Sequence, residues 1–530
     1  MMYATDTPAA GSCAGSPAGV VLAVSMAGAL LGASFYAWII FGVLVGIEPA
    51  HFGTDVYDQA WLALREGRLD LPARVIGLEG HYAPDGTAQF YHGIGPLITR
   101  LALAPFVEIG RESLAPVSIW LWAVAGTALY HLTFLQIIRR HWPVGGRNAA
   151  AWAGLLAAAV WLGTPGLVLA SNIAFYHEPI SMAYALSAGV FALWVLGKPD
   201  GRPTAVMVVG VALMAALCLH ARPNLAIGLY AVAVAAIVLA LMRNGLRRLL
   251  AWALVACALL GLSGLGYLAL NKARFGAATE THGRFDDGGM QYGSIFWGAE
   301  SRDGLRAQGF IEHGRFNAAR IVPNALLYTF APAASLSPQA HRAAVAMHTA
   351  ATRDRVGAIR IEGPGGGLLA LWTVWGVAAG AGIAAGAAAL RRYFALILGA
   401  ALAAGVTFAY ATVTLRYHVD LWPLIAALAL PGLGWLVPRL AARPLATPIS
   451  LAVIAVAMIG LIGNLTTASL YRSAFLGVEG SFFEPWTEQD CRRLAAGRGF
   501  EPARIEEICR PPRAPRTGAD AAGNERTDSA

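Results

Sequence analysis

The stretch LAIGLYAVAVAAIVLALM, residues 225–242, decides the fold class of this chain. Its 18 residues include no charged side chain, and a helix that crosses the hydrocarbon of a bilayer needs about 20 apolar residues. The whole chain agrees, because 57% of its 530 residues are hydrophobic and 13% are charged, whereas about a quarter of an ordinary soluble domain is charged. The composition excludes a soluble globular protein and predicts an integral membrane protein.

Ten further apolar blocks accompany this one. They lie at residues 18–47, 114–138, 149–170, 173–196, 204–220, 249–270, 367–390, 393–415, 418–437 and 448–465. In lipid such blocks must be helical, because an unpaired backbone group in hydrocarbon costs several kcal/mol. The sequence therefore predicts an all-α polytopic membrane protein with about eleven transmembrane helices.

Positive charge is concentrated in alternate short connections between these blocks. Five connections hold twelve Lys or Arg and one acid, Asp200. The basic residues are Arg139, Arg140, Arg147, Lys198, Arg202, Arg243, Arg247, Arg248, Arg391, Arg392, Arg439 and Arg443. The positive-inside rule then predicts a cytoplasmic N-terminus and an external C-terminus. This orientation accounts for the net charge of +8 without a nucleic-acid partner.

The same topology divides the chain into two predicted parts. Residues 1–465 form a transmembrane domain with external loops at 48–113 and 271–366, and residues 466–530 form an external tail. The last roughly 20 residues of the tail are expected to be disordered. Cys491 and Cys509 share this tail and would face an oxidising compartment, so either a disulfide or two free thiols is consistent with the sequence.

Four charged residues lie within or at the ends of the apolar blocks: Glu178, Arg222, Arg416 and Asp420. All four map to predicted external turns. Ionisable groups at membrane depth are costly and commonly mark a function or a buried pair. Convergence of these turns would create a polar site. The structural alternative is interfacial snorkelling or Arg–carboxylate pairing, for example between Arg416 and Asp420.

The first external loop adds a pair of acids. Asp55 and Asp58 follow the first apolar block, and residues 57–71 (YDQAWLALREGRLDL) are typical of an amphipathic helix on the membrane surface. An acid at the end of a membrane helix suits a general base that works at the interface. The structural alternative for Asp55 is an N-cap of the surface helix, and for Asp58 the residues favour a solvated charge.

Several segments resemble the GT-C superfamily of membrane glycosyltransferases, which includes protein O-mannosyltransferases and lipid A aminoarabinose transferases. Asp55 with residues 57–71 resembles the acidic motif and surface helix of the first loop. Residues 90–106 (FYHGIGPLITRLALAPF) resemble the segment that follows in bacterial members, and residues 415–430 (LRYHVDLWPLIAALAL) resemble a late helix start. Residues 271–276 (NKARFG), which open the long loop, are also similar.

The resemblance implies an enzyme of the bacterial cytoplasmic membrane. It would transfer a single sugar from a polyprenyl phosphate to an envelope lipid, glycan or protein on the external face, with inversion. Asp55 would be the catalytic base, and Arg416, Arg222 and Arg274 would bind the donor phosphate through forked hydrogen bonds. The expected substrate-binding residues are Asp58, His177, Glu178, Asn224, Tyr417, His418 and Asp420. Tyr292, Phe296 and Trp297 are candidates for stacking against a sugar, or for interfacial anchors.

No cofactor is required by this scheme, although Asp55 and Asp58 could hold a divalent cation. Two other classes of protein fit the same composition. A transporter or flippase of lipid-linked substrates would also place charges among helices, usually with repeat symmetry. A polymerase or ligase of lipid-linked glycans would also use a long external loop and arginines.

Overall fold

The computed structural model describes residues 17–42, 53–142, 148–198, 201–244, 246–286, 289–332, 336–441, 443–473 and 487–510. The predicted disordered end of the tail lies outside the described residues. The described chain is 73% helical with few strands. The prediction of a mainly helical protein is therefore confirmed, and the small strands are an addition that the sequence did not suggest.

The helices are numbered along the chain. They are α1 (Pro17–Phe41), α2 (Val56–Arg65), α3 (Ala73–Ile76), α4 (Leu97–Leu103), α5 (Ala115–His141), α6 (Ala149–Leu162), α7 (Pro165–Ala170), α8 (His177–Leu196), α9 (Ala205–Leu219), α10 (Pro223–Asn244), α11 (Leu246–Phe275), α12 (Gly293–Phe296), α13 (Leu305–His313), α14 (Ile321–Phe330), α15 (Pro338–Val356), α16 (Leu368–Leu371), α17 (Thr373–Ala384), α18 (Ala387–Arg391), α19 (Phe394–Ala409), α20 (His418–Ala441), α21 (Pro448–Ser473), α22 (Glu488–Gly497) and α23 (Pro502–Ile508).

Each of the eleven apolar blocks contains a helix, but the helices differ in length. Within the described residues, seven are long and apolar enough to cross a membrane, namely α1, α5, α8, α10, α11, α20 and α21. Four others, α6, α9, α17 and α19, have 10–17 residues. The 14 residues of α6 extend about 21 Å at 1.5 Å per residue, which is less than the roughly 30 Å of hydrocarbon. Eleven spans remain a prediction.

Two apolar blocks are interrupted for local reasons. Gly163 ends α6, and Pro165 begins α7 after the extended Thr164. Gly386 separates α17 from α18 at a φ of 87°, a backbone conformation that glycine adopts without steric cost. In the first loop, the expected surface helix ends at Arg65, because Gly67 adopts a φ of 73° and the chain then extends into a strand.

The helices pack as one bundle. Helix α5 packs against α8, α17 against α20, and α9 against both α10 and α11. Helices α10 and α19 cross at Gly228 and Gly399, where a Cβ on either glycine would collide with the carbonyl oxygen of the other. Small residues at helix crossings let backbones approach closely. Other residues of the same two helices line the cavity described below.

One end of the bundle is covered by what we call the loop layer, residues 53–113, 276–366 and 487–510. Its four-stranded sheet has the order β1 (Asp70–Leu71), β3 (Ala88–Gln89), β2 (His81–Tyr82), β4 (Gln291–Tyr292). The register pairs His81 with Tyr292, so the sheet joins the first loop to the long loop. A second sheet pairs β5 (Arg360–Ile361) with β6 (Thr412–Val413).

The C-terminal hairpin α22–α23 closes the loop layer. A disulfide joins Cys491 to Cys509, which resolves the alternative that the sequence left open. Arg74 pairs with Glu488 at 3.1 Å. The guanidinium of Arg504 donates to the Asp85 carbonyl at 2.7 Å. The described hairpin of the tail is therefore docked on the first loop.

Candidate functional site: an amphipathic cavity below the loop layer

A cavity of about 650 Å³ lies where the bundle meets the loop layer. Its polar side is formed by three short segments, residues 91–94, 220–224 and 281–282, together with the last turns of α11. Its apolar side is formed by α10, α11 and α19, through Ile227, Leu270, Ala401, Leu402, Gly405, Val406 and Ala409. The cavity thus joins a polar part, which we call the polar chamber, to the apolar surfaces of three helices, of which α10 and α11 are long enough to cross a membrane.

The apolar side continues along helix α10. Ile227 is 48% exposed, Val234 52% and Val238 49%, and residues at i, i+7 and i+11 share one face of a helix. Both α11 and α19 pack against α10. In a bilayer, this exposed apolar face of α10 would contact lipid chains, and Ile227 on the same face also lines the cavity.

Arg274 is the most exceptional group in the polar chamber. The residue is 6% exposed, and one terminal nitrogen donates to the carbonyl of His92 at 3.1 Å. Its Nε is buried and has no hydrogen-bond partner. No described carboxylate forms an ion pair with it. A buried guanidinium without an acid is costly, unless a ligand supplies the negative charge.

Arg222 also lines the cavity but has a protein partner. Its Nε and one terminal nitrogen donate to the two oxygens of Asp420 at 2.7 and 2.6 Å. The guanidinium lies 4.8 Å from the ring centre of Tyr417, which also lines the cavity. The sequence offered Arg416 as a structural partner of Asp420, but the structure pairs Asp420 with Arg222.

Neutral polar groups complete the chamber. Burial lowers the pKa of His92 well below its ordinary value, and Arg222 and Arg416 add to that effect. Burial likewise lowers the pKa of His220 and, more strongly, that of His282. These three histidines line the cavity together with Asn224 and Asn271. The chamber can donate and accept hydrogen bonds without additional titratable charge at neutral pH.

Three of the expected site residues therefore meet in the cavity with Arg274, namely Arg222, Asn224 and Tyr417. The other expected residues do not line the cavity: most are buried in the surrounding core, whereas Asp55 is half-buried at the start of α2. His177 contacts the Tyr471 hydroxyl through Nε2 at 3.0 Å. His418 contacts the Gly366 carbonyl oxygen through Nε2 at 3.0 Å.

A separate ion cluster buries Asp58 and Glu178. Arg100 donates from Nε to Asp58 at 2.8 Å and binds Glu178 through both terminal nitrogens. The second oxygen of Asp58 accepts from the Leu114 amide at 3.0 Å. All three side chains are at most 1% exposed. Asp58 is thus not a solvated charge, because a buried guanidinium and an amide replace water around it.

Arg416 belongs to a third cluster. One of its terminal nitrogens donates to Glu362 at 2.6 Å, and the Arg360 Nε lies 2.8 Å from the other Glu362 oxygen. Burial alone would raise the pKa of Glu362, but the two guanidinium groups hold that pKa below its ordinary value. The Arg416 guanidinium also lies 4.6 Å from the ring centre of Tyr176. Arg416 does not line the cavity and, unlike Arg274, has an acid partner.

Asp55 is the N-cap residue of α2, immediately before Val56, yet its side chain makes no capping hydrogen bond. No other described residue donates a hydrogen bond to its carboxylate. Burial raises the pKa of Asp55, and the nearby Asp58 adds to the rise. The capping interpretation of Asp55 is therefore wrong for this structure. Residues 43–52, which precede it, lie outside the described residues.

The aromatic candidates of the long loop form the core of the loop layer. Phe296 stacks on Tyr82 with ring centres 4.8 Å apart, and Trp297 meets the same ring edge-on at 5.1 Å. Tyr292 stacks on Phe285 at 5.0 Å. Phe296 and Trp297 are at most 4% exposed. They are neither interfacial anchors nor accessible to a sugar in this structure.

A metal site is not evident in the described part of the chain, where no three His, Cys, Asp or Glu side chains converge. Both Asp58 oxygens already accept hydrogen bonds from protein donors. Asp58 therefore has no free oxygen for a cation, whereas the carboxylate of Asp55 does.

Sequence reasoning missed Arg100 and Glu362, because both lie in loops where charge is ordinary. A signal existed for Arg100, which stands inside the apolar stretch 97–107. It also missed the cavity histidines, although His92 and His220 lie within segments that it singled out. Glu362 gave no such signal, because its partner Arg416 is 54 residues away in sequence.

What the fold and cavity define is a class: a helical protein, compatible with several membrane crossings, that has an amphipathic cavity at one end. Comparison with protein-family models, curated proteins and solved structures yields no match to this chain.

Proposed function

We propose that this chain is a membrane glycosyltransferase that takes one sugar from a polyprenyl-phosphate donor and transfers it to an envelope lipid, glycan or protein. One observation carries the proposal: the cavity joins the guanidinium of Arg274, which has no described acid partner, to an apolar helix surface. A lipid phosphate has the matching chemistry, with an anion at one end and a long hydrocarbon chain at the other.

The donor would lie with its phosphate in the polar chamber and its chain along α10. Arg274 would bind the phosphate through charge-assisted hydrogen bonds, with Arg222 beside it. The N-terminus of α10 begins at Pro223 on the cavity wall, and its partial positive charge favours an anion there. Asn224 and Tyr417 would contact the sugar. The Arg416 guanidinium lies 5.4 Å from the Tyr417 ring centre. Arg416 would not contact the donor but would support the Tyr417 ring from the side away from the cavity.

The proposed orientation places the loop layer outside the cytoplasmic membrane of a bacterium, with the N-terminus inside. Two features support it. The basic connections meet at the other end of the bundle, where Arg392 acts on Lys198 and on Tyr393. The disulfide of the loop layer suits an oxidising compartment.

The reaction needs a base, and we propose Asp55. The acceptor hydroxyl would give its proton to Asp55 while its oxygen bonds to the anomeric carbon. The bond between that carbon and the phosphate oxygen breaks, and the lipid phosphate leaves with the electron pair, held by Arg274. A carboxylate that receives no hydrogen bond from another described residue, and whose pKa is raised, is suited to accept a proton.

The test is reconstitution of the purified chain in vesicles with a radiolabelled polyprenyl-phosphate hexose and envelope extract. We expect labelled acceptor and released polyprenyl phosphate. Asp55→Asn should lower the rate by about 10²–10⁴-fold, with normal donor binding and melting temperature. Because the pKa of Asp55 is raised, the acid limb of the rate profile should lie above the pH of about 4 set by an ordinary aspartate.

The other two classes give different results in the same vesicles. Movement of the donor across the bilayer without label transfer would indicate a transporter. Growth of the lipid-linked glycan by repeated units would indicate a polymerase. An Asp55→Asn variant with the wild-type transfer rate would remove Asp55 as the base.

A further inference from the structure

The polar chamber contains no acid that a cationic ligand could use. Among the described residues that line the cavity there is no Asp or Glu. The adjacent Asp420 has both oxygens engaged by Arg222. A positively charged group on a ligand would therefore enter this chamber without a counter-charge.

The surrounding charge is instead positive. Arg274 has no described acid partner, and its Nε is unpaired. Arg315 stands behind His282 and acts on it electrostatically. Arg315 donates to the Gly283 carbonyl at 3.2 Å, its Nε is also unpaired, and no described carboxylate forms an ion pair with it. In the donor complex the phosphate would pair with Arg274, and Arg315 would still repel a cation in the chamber.

The remaining lining groups suit hydroxyls. His92, His220 and His282 are neutral because burial lowers the pKa of each. Asn224, Asn271 and several tyrosine hydroxyls add donors and acceptors. Neutral imidazoles, amides and phenols pair with sugar hydroxyls through ordinary hydrogen bonds.

We infer that the donor sugar carries no positive charge: the site takes neutral or acidic sugars and rejects amino sugars with a free ammonium group. This inference rests on the proposed function, since it assigns the sugar to the chamber that would hold the donor phosphate. Because the donor phosphate would pair with Arg274, the cost for an ammonium group is the loss of its water without an acid to replace it, with repulsion from Arg315 added. We expect this cost to weaken binding about tenfold or more.

Direct binding to the purified protein tests this without an acceptor. Three short-chain polyprenyl phosphates with the same chain would be compared, carrying glucose, glucuronic acid or glucosamine. We expect the glucosamine donor to bind at least about tenfold more weakly than the glucose donor. Equal or tighter binding of the glucosamine donor would overturn the inference and leave the proposed function standing. Failure of all three donors to bind would overturn both.

A matched pair of variants tests the cause. Asn224→Asp keeps the side-chain size and puts an acid in the first turn of α10, where the helix favours it. This variant should reduce the discrimination against glucosamine by about tenfold. Asn148→Asp makes the same change at the start of α6, away from the cavity, and should leave the ratio unchanged. An unaltered ratio in Asn224→Asp would show that charge in the chamber does not set the preference, and the inference would fall.

Discussion

The cluster of Arg100, Asp58 and Glu178 and the polar chamber around Arg274 both contain a buried arginine close to the loop layer. The two arginines differ in whether acids neutralise their charge. Arg100 binds two carboxylates, and all three side chains are at most 1% exposed. Arg274 binds a backbone carbonyl and leaves its Nε unpaired beside a cavity of about 650 Å³. One cluster is complete within the protein, whereas the other lacks an anion.

The difference shows that burial of a charge does not by itself mark a binding site. Arg100 lies on α4, Asp58 on α2 and Glu178 on α8, so this cluster ties two loop-layer helices to a membrane-length helix. Its satisfied hydrogen bonds indicate a structural role. A binding site is better indicated by a buried charge whose partner is missing and whose neighbour is a cavity.

The largest effect is expected from Arg100→Met. Removal of the cation leaves Asp58 and Glu178 buried together without their partner, and breaking a buried ion pair costs about 3–5 kcal/mol. We expect a strongly lowered melting temperature and poor accumulation in the membrane. Fluorescence-detected size-exclusion chromatography with a temperature series would measure both.

A rescue variant separates charge from packing in this cluster. Arg100→Met combined with Asp58→Asn and Glu178→Gln removes every charge and should recover part of the lost stability. If Arg100→Met alone melts like the wild type, the cluster is not the structural tie that its geometry indicates.

The sequence predicted most helices of the bundle but few of the ion pairs and strand pairs between distant residues. Long apolar blocks such as residues 225–242 dictate a helix, because lipid forces local backbone pairing. Arg222 and Asp420 could be named as embedded charges, but their partnership spans 198 residues and depends on the packing of the helices that carry them. The loop-layer strands have two residues each, which is too short to produce an alternating pattern.

The chamber could be predicted only in part for the same reason. Arg274 was named from the resemblance of residues 271–276 to a family segment, and Asn224 from its place in a predicted external turn. That Arg274 lacks an acid while Arg416 has Glu362 follows from the strand β5, which brings Glu362 beside β6 and Arg416. Local sequence gives no signal for such a long-range pairing.

An intermediate effect is expected from Arg274→Gln. The change removes a buried charge that has no acid partner but keeps a donor for the His92 carbonyl, so the fold should keep its stability. Donor affinity should fall about 10–100-fold, because a hydrogen bond to a charged group contributes about 1.5–3 kcal/mol. Isothermal titration of the short-chain donor would measure it. Unchanged affinity would remove Arg274 from the phosphate site and weaken the contrast with Arg100.

The smallest effect is expected from Asp58→Asn, which also serves as the control for Asp55→Asn. The amide oxygen can still accept one hydrogen bond, and Arg100 keeps Glu178, so the loss should be about 1 kcal/mol of stability. The transfer rate per folded molecule and the donor affinity should stay at the wild-type values, because both Asp58 oxygens face Arg100 and Leu114 rather than the cavity. Thermal unfolding and the vesicle assay measure these quantities separately. A variant that melts normally but transfers poorly would place Asp58 with Asp55 in the reaction, and the boundary between the structural cluster and the site would have to move.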